Sequence, residues 1–310
     1  ELLMNTCPFF GKCGGCKFDF ASADYRSQKA GALRGLQPTS DAVWPAPGER
    51  RRVDFCFAGG RLGLYAAGTK DIIPVTKCLN AAPEINAILP HLAKMPWSGA
   101  GSVLITLCEN GIDIAITSNV PYCSADFRRA AGSLRAIRIT WNDKVIKQET
   151  TPIIKFGDVA VEYPVGAFLQ PGKPGEDAIR DMVVGAAGGS KRIADLFCGL
   201  GNFTNALNAD GFDITGPHCQ RDLFKNPLTL GMLKQYDCVV MDPPRAGARA
   251  QCEILAKSQV PKIIYVSCNP ATFTRDAKIL ESGGYKMTHL VPVDQFVGST
   301  HWELFSVFEK

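Results

Sequence analysis

Cys268 ends an apolar run in "IIYVSCNPATFTRD", residues 263–276, and sits among Ser267, Asn269 and Pro270. A thiol in a polar turn at a strand end suits nucleophilic attack, whereas a lone cysteine in apolar surroundings serves as a small hydrophobe. "VVMDPPRAG", residues 239–247, ends a second apolar strand with Asp242 and two prolines that stiffen the exit, and Arg245 offers a contact to phosphate or carboxylate. "ADLFCGLGNFT", residues 194–204, takes a third strand to an acid and then through Gly199 and Gly201 into a helix. Such a turn either lets backbone approach a nucleotide-like ligand or simply packs helix on sheet. It lacks the third glycine of the dinucleotide fingerprint, which points away from NAD and toward S-adenosylmethionine. Glu303 opens the final strand "LFSVF", with His301 two positions earlier on the same face. It is either a general base or a solvated strand-edge charge.

A second group lies near the start of the sequence. "CPFFGKCGGCKF" holds Cys7, Cys13 and Cys16 in a C-x5-C-x2-C run, and Cys78 follows in "PVTKCLN". Thiolates this close repel one another unless a metal neutralises them, and glycines let the backbone wrap around it. Zinc and an iron–sulfur cluster both satisfy that chemistry; the radical-SAM spacing C-x3-C-x2-C is not met.

The elements that must position these residues fall into two regimes. "FASADYRSQKAGALRGL" reads as a helix capped by Ser22 and running to about Leu36, followed by the linker "PTSDAVWPAPGE". From Arg50 to about Val161, short alternating segments such as "RRVDFCFA", "SVLITLCEN", "GIDIAITS" and "DVAVEY" predict a meandering antiparallel sheet. After residue 166, buried strands alternate with helical patterns and "HWELFSVFE" closes as an antiparallel strand, which predicts a doubly wound α/β sheet. Three chemically active strand ends then meet at one sheet edge.

Bulk properties agree with a two-domain globular protein. The 310 residues are 46% hydrophobic and 21% charged, and the net charge of +4 permits an anionic partner without requiring one. Twelve cysteines, mostly scattered singly, suit a reducing, cytoplasmic setting better than a disulfide scaffold. No signal-peptide pattern or membrane-spanning apolar run is visible, which argues against secretion and membrane insertion. The sequence opens on Glu1 rather than Met, as expected of part of a longer chain.

Together, "DPPRAG", "IIYVSCNPAT" and the "DQF", Ser, His and Glu series that ends at Glu303 resemble the RNA uracil-5-methyltransferases, which make 5-methyluridine in ribosomal or transfer RNA. The cysteine run is similar to that of the iron–sulfur branch acting on 23S ribosomal RNA. The resemblance covers nearly all of the chain. It implies a Rossmann-like class I methyltransferase domain over residues 166–310 and a β-rich central RNA-binding domain over 48–165. Residues 1–18 would form an iron–sulfur loop of the central domain, and 19–47 an N-terminal helix of the catalytic one. Cys7, Cys13, Cys16 and Cys78 would ligate a [4Fe–4S] cluster. Gln170, Phe197, Asn202, Asp222 and Asp242 would line the S-adenosylmethionine site, Cys268 would be the nucleophile and Glu303 the general base. The implied partner is RNA, ribosomal before transfer, and the implied state a monomer. Transfer-RNA uracil methylation, RNA cytosine-5 methylation and a non-catalytic iron–sulfur RNA-binding role are the competing readings.

Two departures stand out. The small β-barrel that precedes the cluster loop in family members is absent, so either Arg50, Arg51 and Arg52 supply phosphate contacts or that domain lies before Glu1. After "FDITG" the ribose-holding acid and the next helix are missing, since "PHCQRDLF" follows Gly216 at once. Neighbouring parallel strands need a crossover of about a dozen residues or more. A segment is therefore expected to have been lost between about Ile214 and Cys219.

Overall fold

Alternating side chains from Arg52 onward build the first of two large sheets, and buried apolar runs after residue 190 build the second. The computed structural model describes residues 7–33 and 35–310. The opening of the expected iron–sulfur loop, residues 1–6, and Arg34 of the expected first helix lie outside the described residues.

The first sheet contains β1 (Arg52–Ala58), β2 (Arg61–Tyr65), β3 (Ile72–Ile73), β4 (Ala100–Cys108), β5 (Gly111–Ser118), β6 (Arg138–Trp141) and β7 (Lys144–Gln148), in the order β3-β2-β1-β4-β5-β6-β7. It departs from a meander twice: β4 returns past β3 and β2 to pair with β1, and β5 and β6 pair parallel, because the crossover between them carries a helix, Ala125–Gly132. That helix and another at Pro83–Leu92 lay Phe127, Ile85 and Leu89 on the sheet's apolar face. The segment expected as the last strand of this meander instead forms a separate hairpin of β8 (Ile153–Phe156) and β9 (Val159–Glu162). Ile154, Phe156 and Tyr163 of the hairpin region pack with Leu200 of the glycine turn, tying the first half of the chain to the second.

The second sheet contains β10 (Ile193–Leu196), β11 (Asp210–Asp213), β12 (Cys219–Gln220), β13 (Cys238–Met241), β14 (Lys262–Ser267), β15 (Lys286–Val293) and β16 (Glu303–Glu309). Its order is β12-β11-β10-β13-β14-β16-β15, with all strands in one direction except β16, which pairs antiparallel with both β14 and β15. Side chains alternate across it. Val239, Met241, Ile263 and Tyr265 face helices Arg249–Leu255 and Pro270–Ser282, while Val240, Ile264 and Val266 face helix Lys173–Ala187. Strand order reverses between β10 and β13, the position where open α/β sheets hold ligands beyond their carboxyl ends.

The first helix is shorter than expected. It spans Tyr25–Ala30, with Asp24 rather than Ser22 at its N-cap, because the Ser22 hydroxyl instead accepts from the Asp24 amide in a local turn. Leu33 after it packs into the core of the second sheet. Among the described residues no helix is long and apolar enough to cross a membrane.

Candidate active site

Four adjacent strands deliver the candidate residues to one edge. Asp195 lies within β10, Asp242 follows β13, Cys268 follows β14 and Glu303 begins β16. Register fixes their levels, since Asp195 pairs with Val240, Met241 with Tyr265, and Ser267 with Leu304. Beyond β14 the chain turns sharply: Asn269 caps the next helix by accepting from the Ala271 amide, and its amide nitrogen donates to the Arg245 carbonyl at 2.9 Å. The turn after Asp242 and the turn after Cys268 are thereby bonded to each other.

Electrostatics in this edge are dominated by crowded acids. Burial raises the Cys268 pKa to about 12, and the Glu303 and Asp242 charges add to that rise while Arg245 opposes it. The resting group is thus a thiol. Glu303 is 2% exposed and its Oε2 has no partner. Burial, then the Asp242 charge, pushes its pKa well above the carboxylate range. Burial and then Asp195 push Asp242 upward in the same way. His301 is half-buried, with its ring edge-on to Phe296, and burial, followed by Arg245 and Lys29, lowers its pKa.

Asp195, the acid noted at the end of its strand in the sequence, is a fourth member of this group. Its carboxylate accepts from Thr204 Oγ1 at 2.6 Å, its other oxygen is unpartnered, and burial raises its pKa from 3.8 to about 7. A carboxyl raised in the fold contributes stability fully below its unfolded pKa and loses it as pH climbs through the folded one. Asp195→Asn keeps the acceptor for Thr204 and removes the charge. Relative to wild type it is expected to gain up to about 4 kcal/mol between pH 4 and pH 8, read by urea unfolding at both. Parallel pH profiles for the two proteins would place the cost elsewhere.

The glycine turn is tightly specified. Phe197, Gly199 and Gly201 all have left-handed backbone, with φ of 62°, 54° and 90°, and a non-glycine residue in that region carries strain. The Asn202 Oδ1 at its far end is buried without a partner, and the Phe197 ring lies 5.3 Å from Phe224. Asp222 caps the turn that carries Phe224, accepting from the Phe224 amide at 3.1 Å. Gln170 is buried, and its side-chain oxygen accepts from Gln295 at 3.4 Å, a residue not assigned to the site from sequence.

β11 and β12 are parallel neighbours joined by five residues, far short of an ordinary crossover. This short connection folds against the glycine turn, where a β-carbon on Gly216 would meet the Gly199 carbonyl. Asp213 at the end of β11 is engaged there, accepting from the Gly199 amide at 3.0 Å and from Thr215. One expectation is corrected: Arg51 is buried in an ion pair with Glu176 at 2.6 Å and has no surface to offer phosphate. Its neighbour Arg52 lies over the exposed Phe168 ring.

Away from this edge, Cys7, Cys13, Cys16 and Cys78 line one cavity of about 230 Å³ together with Phe9, Phe10, Phe20 and Arg50. Burial raises Cys16 to about 12, helped by the charges of Cys78, Cys13 and Cys7, so Cys16 lies within the field of the other three thiols. Among the described residues no group of three or more His, Cys, Asp or Glu side chains is gathered to hold a metal ion.

A family model described as tRNA (uracil-5-)-methyltransferase matches residues 223–310. An RNA methyltransferase of Agrobacterium fabrum is 36% identical over 97% of this chain and 83% of its own length. The 23S rRNA (uracil(1939)-C(5))-methyltransferase RlmD of Shewanella piezotolerans is 26% identical over 100% of this chain and 82% of its own. The Agrobacterium alignment runs over 344 positions, more than this chain's 310 residues, so that relative carries internal residues with no counterpart here. Among solved structures, the Pyrococcus abyssi tRNA (uracil-54, C5)-methyltransferase superimposes with a TM-score of 0.73 at 19% identity, covering 92% of this chain and 81% of that one. That likeness identifies the α/β methyltransferase fold.

Proposed function

Because this chain belongs to the RNA (uracil-5-)-methyltransferase family, we propose that it methylates C5 of a uridine in 23S ribosomal RNA through a covalent adduct on Cys268, with S-adenosylmethionine as methyl donor. The observation that carries the reading is the convergence of Cys268, Asp242 and Glu303 at adjacent strand ends beside the glycine turn. Uracil C5 is a weak nucleophile. Once Cys268 has lost its proton to solvent, its thiolate adds to C6 and pushes the ring electrons onto the C4 carbonyl as an enolate. C5 of that enolate would then take the methyl group, the methyl–sulfonium bond breaking to leave a neutral thioether. Glu303 then takes the C5 proton, the C5–C6 double bond re-forms, and the C6–S bond breaks to return the thiolate. A half-buried thiol can reach C6 only of a base extruded from its stack, which suits a looped or flipped uridine.

The residues around the glycine turn fit the methyl donor in their chemistry: Asn202 Oδ1 lacks a partner, Gln170 and Asp242 offer polar groups, and Phe197 and Phe224 supply aromatic faces. Bound there, S-adenosylmethionine supplies an electrophilic methyl group on a sulfonium. Asp213, the acid at the end of β11, accepts from the Gly199 and Thr215 amides. The four cysteines line one cavity, and their donor chemistry fits a [4Fe–4S] cluster. Such a cluster would neutralise four crowded thiolates.

Ribosomal RNA is favoured over transfer RNA by the likeness to RlmD across the full chain together with the four-cysteine cavity. The test incubates the protein with 23S ribosomal RNA and with transfer RNA transcripts and labelled donor, then maps 5-methyluridine. Label in 23S RNA alone is expected. Label in transfer RNA alone would overturn the choice of target, 5-methylcytidine the base, and no label in either the function.

A further inference from the structure

Between β15 and β16 the chain runs without a ladder partner from Asp294 to Trp302, directly before Glu303. Its backbone carbonyls must find partners elsewhere or remain orphaned in a buried site. Three consecutive ones are satisfied by distant parts of the chain. Phe296 O accepts from Lys29 Nζ at 2.8 Å, Val297 O from Asn80 Nδ2 at 2.8 Å, and Gly298 O from the Lys17 and Phe18 amides at 2.7 and 2.8 Å. The Gly298 amide donates to Tyr25 Oη, which itself donates to Asp294. Trp302, next to Glu303, donates through Nε1 to the Lys29 carbonyl.

Two of these three carbonyls are held by the cysteine loops. Lys17 and Phe18 follow Cys16, and Gly298 lies so close to it that a β-carbon there would come within 2.8 Å of its Sγ. Asn80 is two residues beyond Cys78, whose backbone is held at both its amide and carbonyl by the Asn86 side chain. We propose that the two cysteine-bearing loops clamp the Phe296–Gly298 segment and so position Glu303, with Asn80 as a positioning residue; filling the four-cysteine cavity then fixes the general base without taking part in methyl transfer. The inference rests on the reading of Glu303 as that base.

Two variants test it, read by hydrogen exchange in peptides spanning residues 296–303, by bound iron, and by gel-stable protein–RNA adduct on unmodified substrate RNA. Asn80→Ala is expected to keep its iron, to speed exchange in this segment about 10-fold, as orphaning one buried carbonyl should, and to accumulate adduct because elimination slows before addition does. Cys78→Ser is expected to lose iron and to show the same local rise in exchange. A Cys78→Ser protein that loses iron with unchanged exchange at 296–303, or an Asn80→Ala protein with wild-type exchange and no adduct, would overturn the clamp. Exchange and iron need no RNA, so a wild-type protein inactive on every RNA would defeat the proposed function while leaving this reading separately measurable.

Discussion

Cys268→Ala is expected to abolish methylation, lowering turnover on the substrate RNA by on the order of 10⁴-fold or more, because the enolate that makes C5 nucleophilic forms only after sulfur adds to C6. The same variant should form no gel-stable adduct with RNA carrying 5-fluorouridine, a base with no C5 proton to lose and therefore no route to release the thiol. Donor binding should survive, since none of the side chains assigned to the donor is altered. Stability should change little, because the side chain is half-buried and removes only one sulfur. A Cys268→Ala protein that methylates at the wild-type rate removes the covalent route. The wild-type rate itself should rise with pH, as a thiol pushed up to about 12 by burial and by Glu303 and Asp242 supplies little thiolate at neutrality.

Why Cys268 was legible in the sequence and Asn80 was not is a matter of range. β10, β13 and β14 are buried on both faces, so they appear as unbroken apolar runs whose polar ends are conspicuous. Asp242 and Cys268 stand at the ends of β13 and β14. β15 was missed because it is an edge strand: its first half is largely exposed and Pro292 sits within it, which only an edge tolerates. The parallel pairing of β5 and β6 depends on a helix between them rather than on either strand's own pattern. Arg51 looked like a surface cation, yet its partner Glu176 stands 125 positions away and both are buried. Asn80 and Lys29 matter through carbonyls more than 200 positions distant, and no local spacing announces a bond to backbone. Local chemistry is written in motifs; the scaffolding that aims it is written in contacts.

Glu303→Gln separates the second half of the reaction from the first. Glutamine keeps the length and shape of the side chain but cannot accept the C5 proton, so addition and methyl transfer should proceed once and elimination should stall. Protein linked to methylated RNA is expected to build up toward one equivalent, with released product slowed about 10² to 10⁴-fold. Folding supplies an internal control. Burial and the Asp242 charge raise the Glu303 pKa well above 4.5, so the protonated form favours the fold and that contribution is lost as pH rises through the raised value. Glutamine mimics the protonated form at every pH, and it also relieves Asp242 of a like charge. The variant should therefore unfold at higher denaturant than wild type at alkaline pH while turning over more slowly, a combination that damage to the fold cannot produce. Cys268 should also titrate lower, since one of the two carboxylate charges that raise it is gone. Release of methylated RNA at the wild-type rate, with no trapped species, would assign proton removal to another group, and Asp242, next to it in the same edge, would be the first to replace.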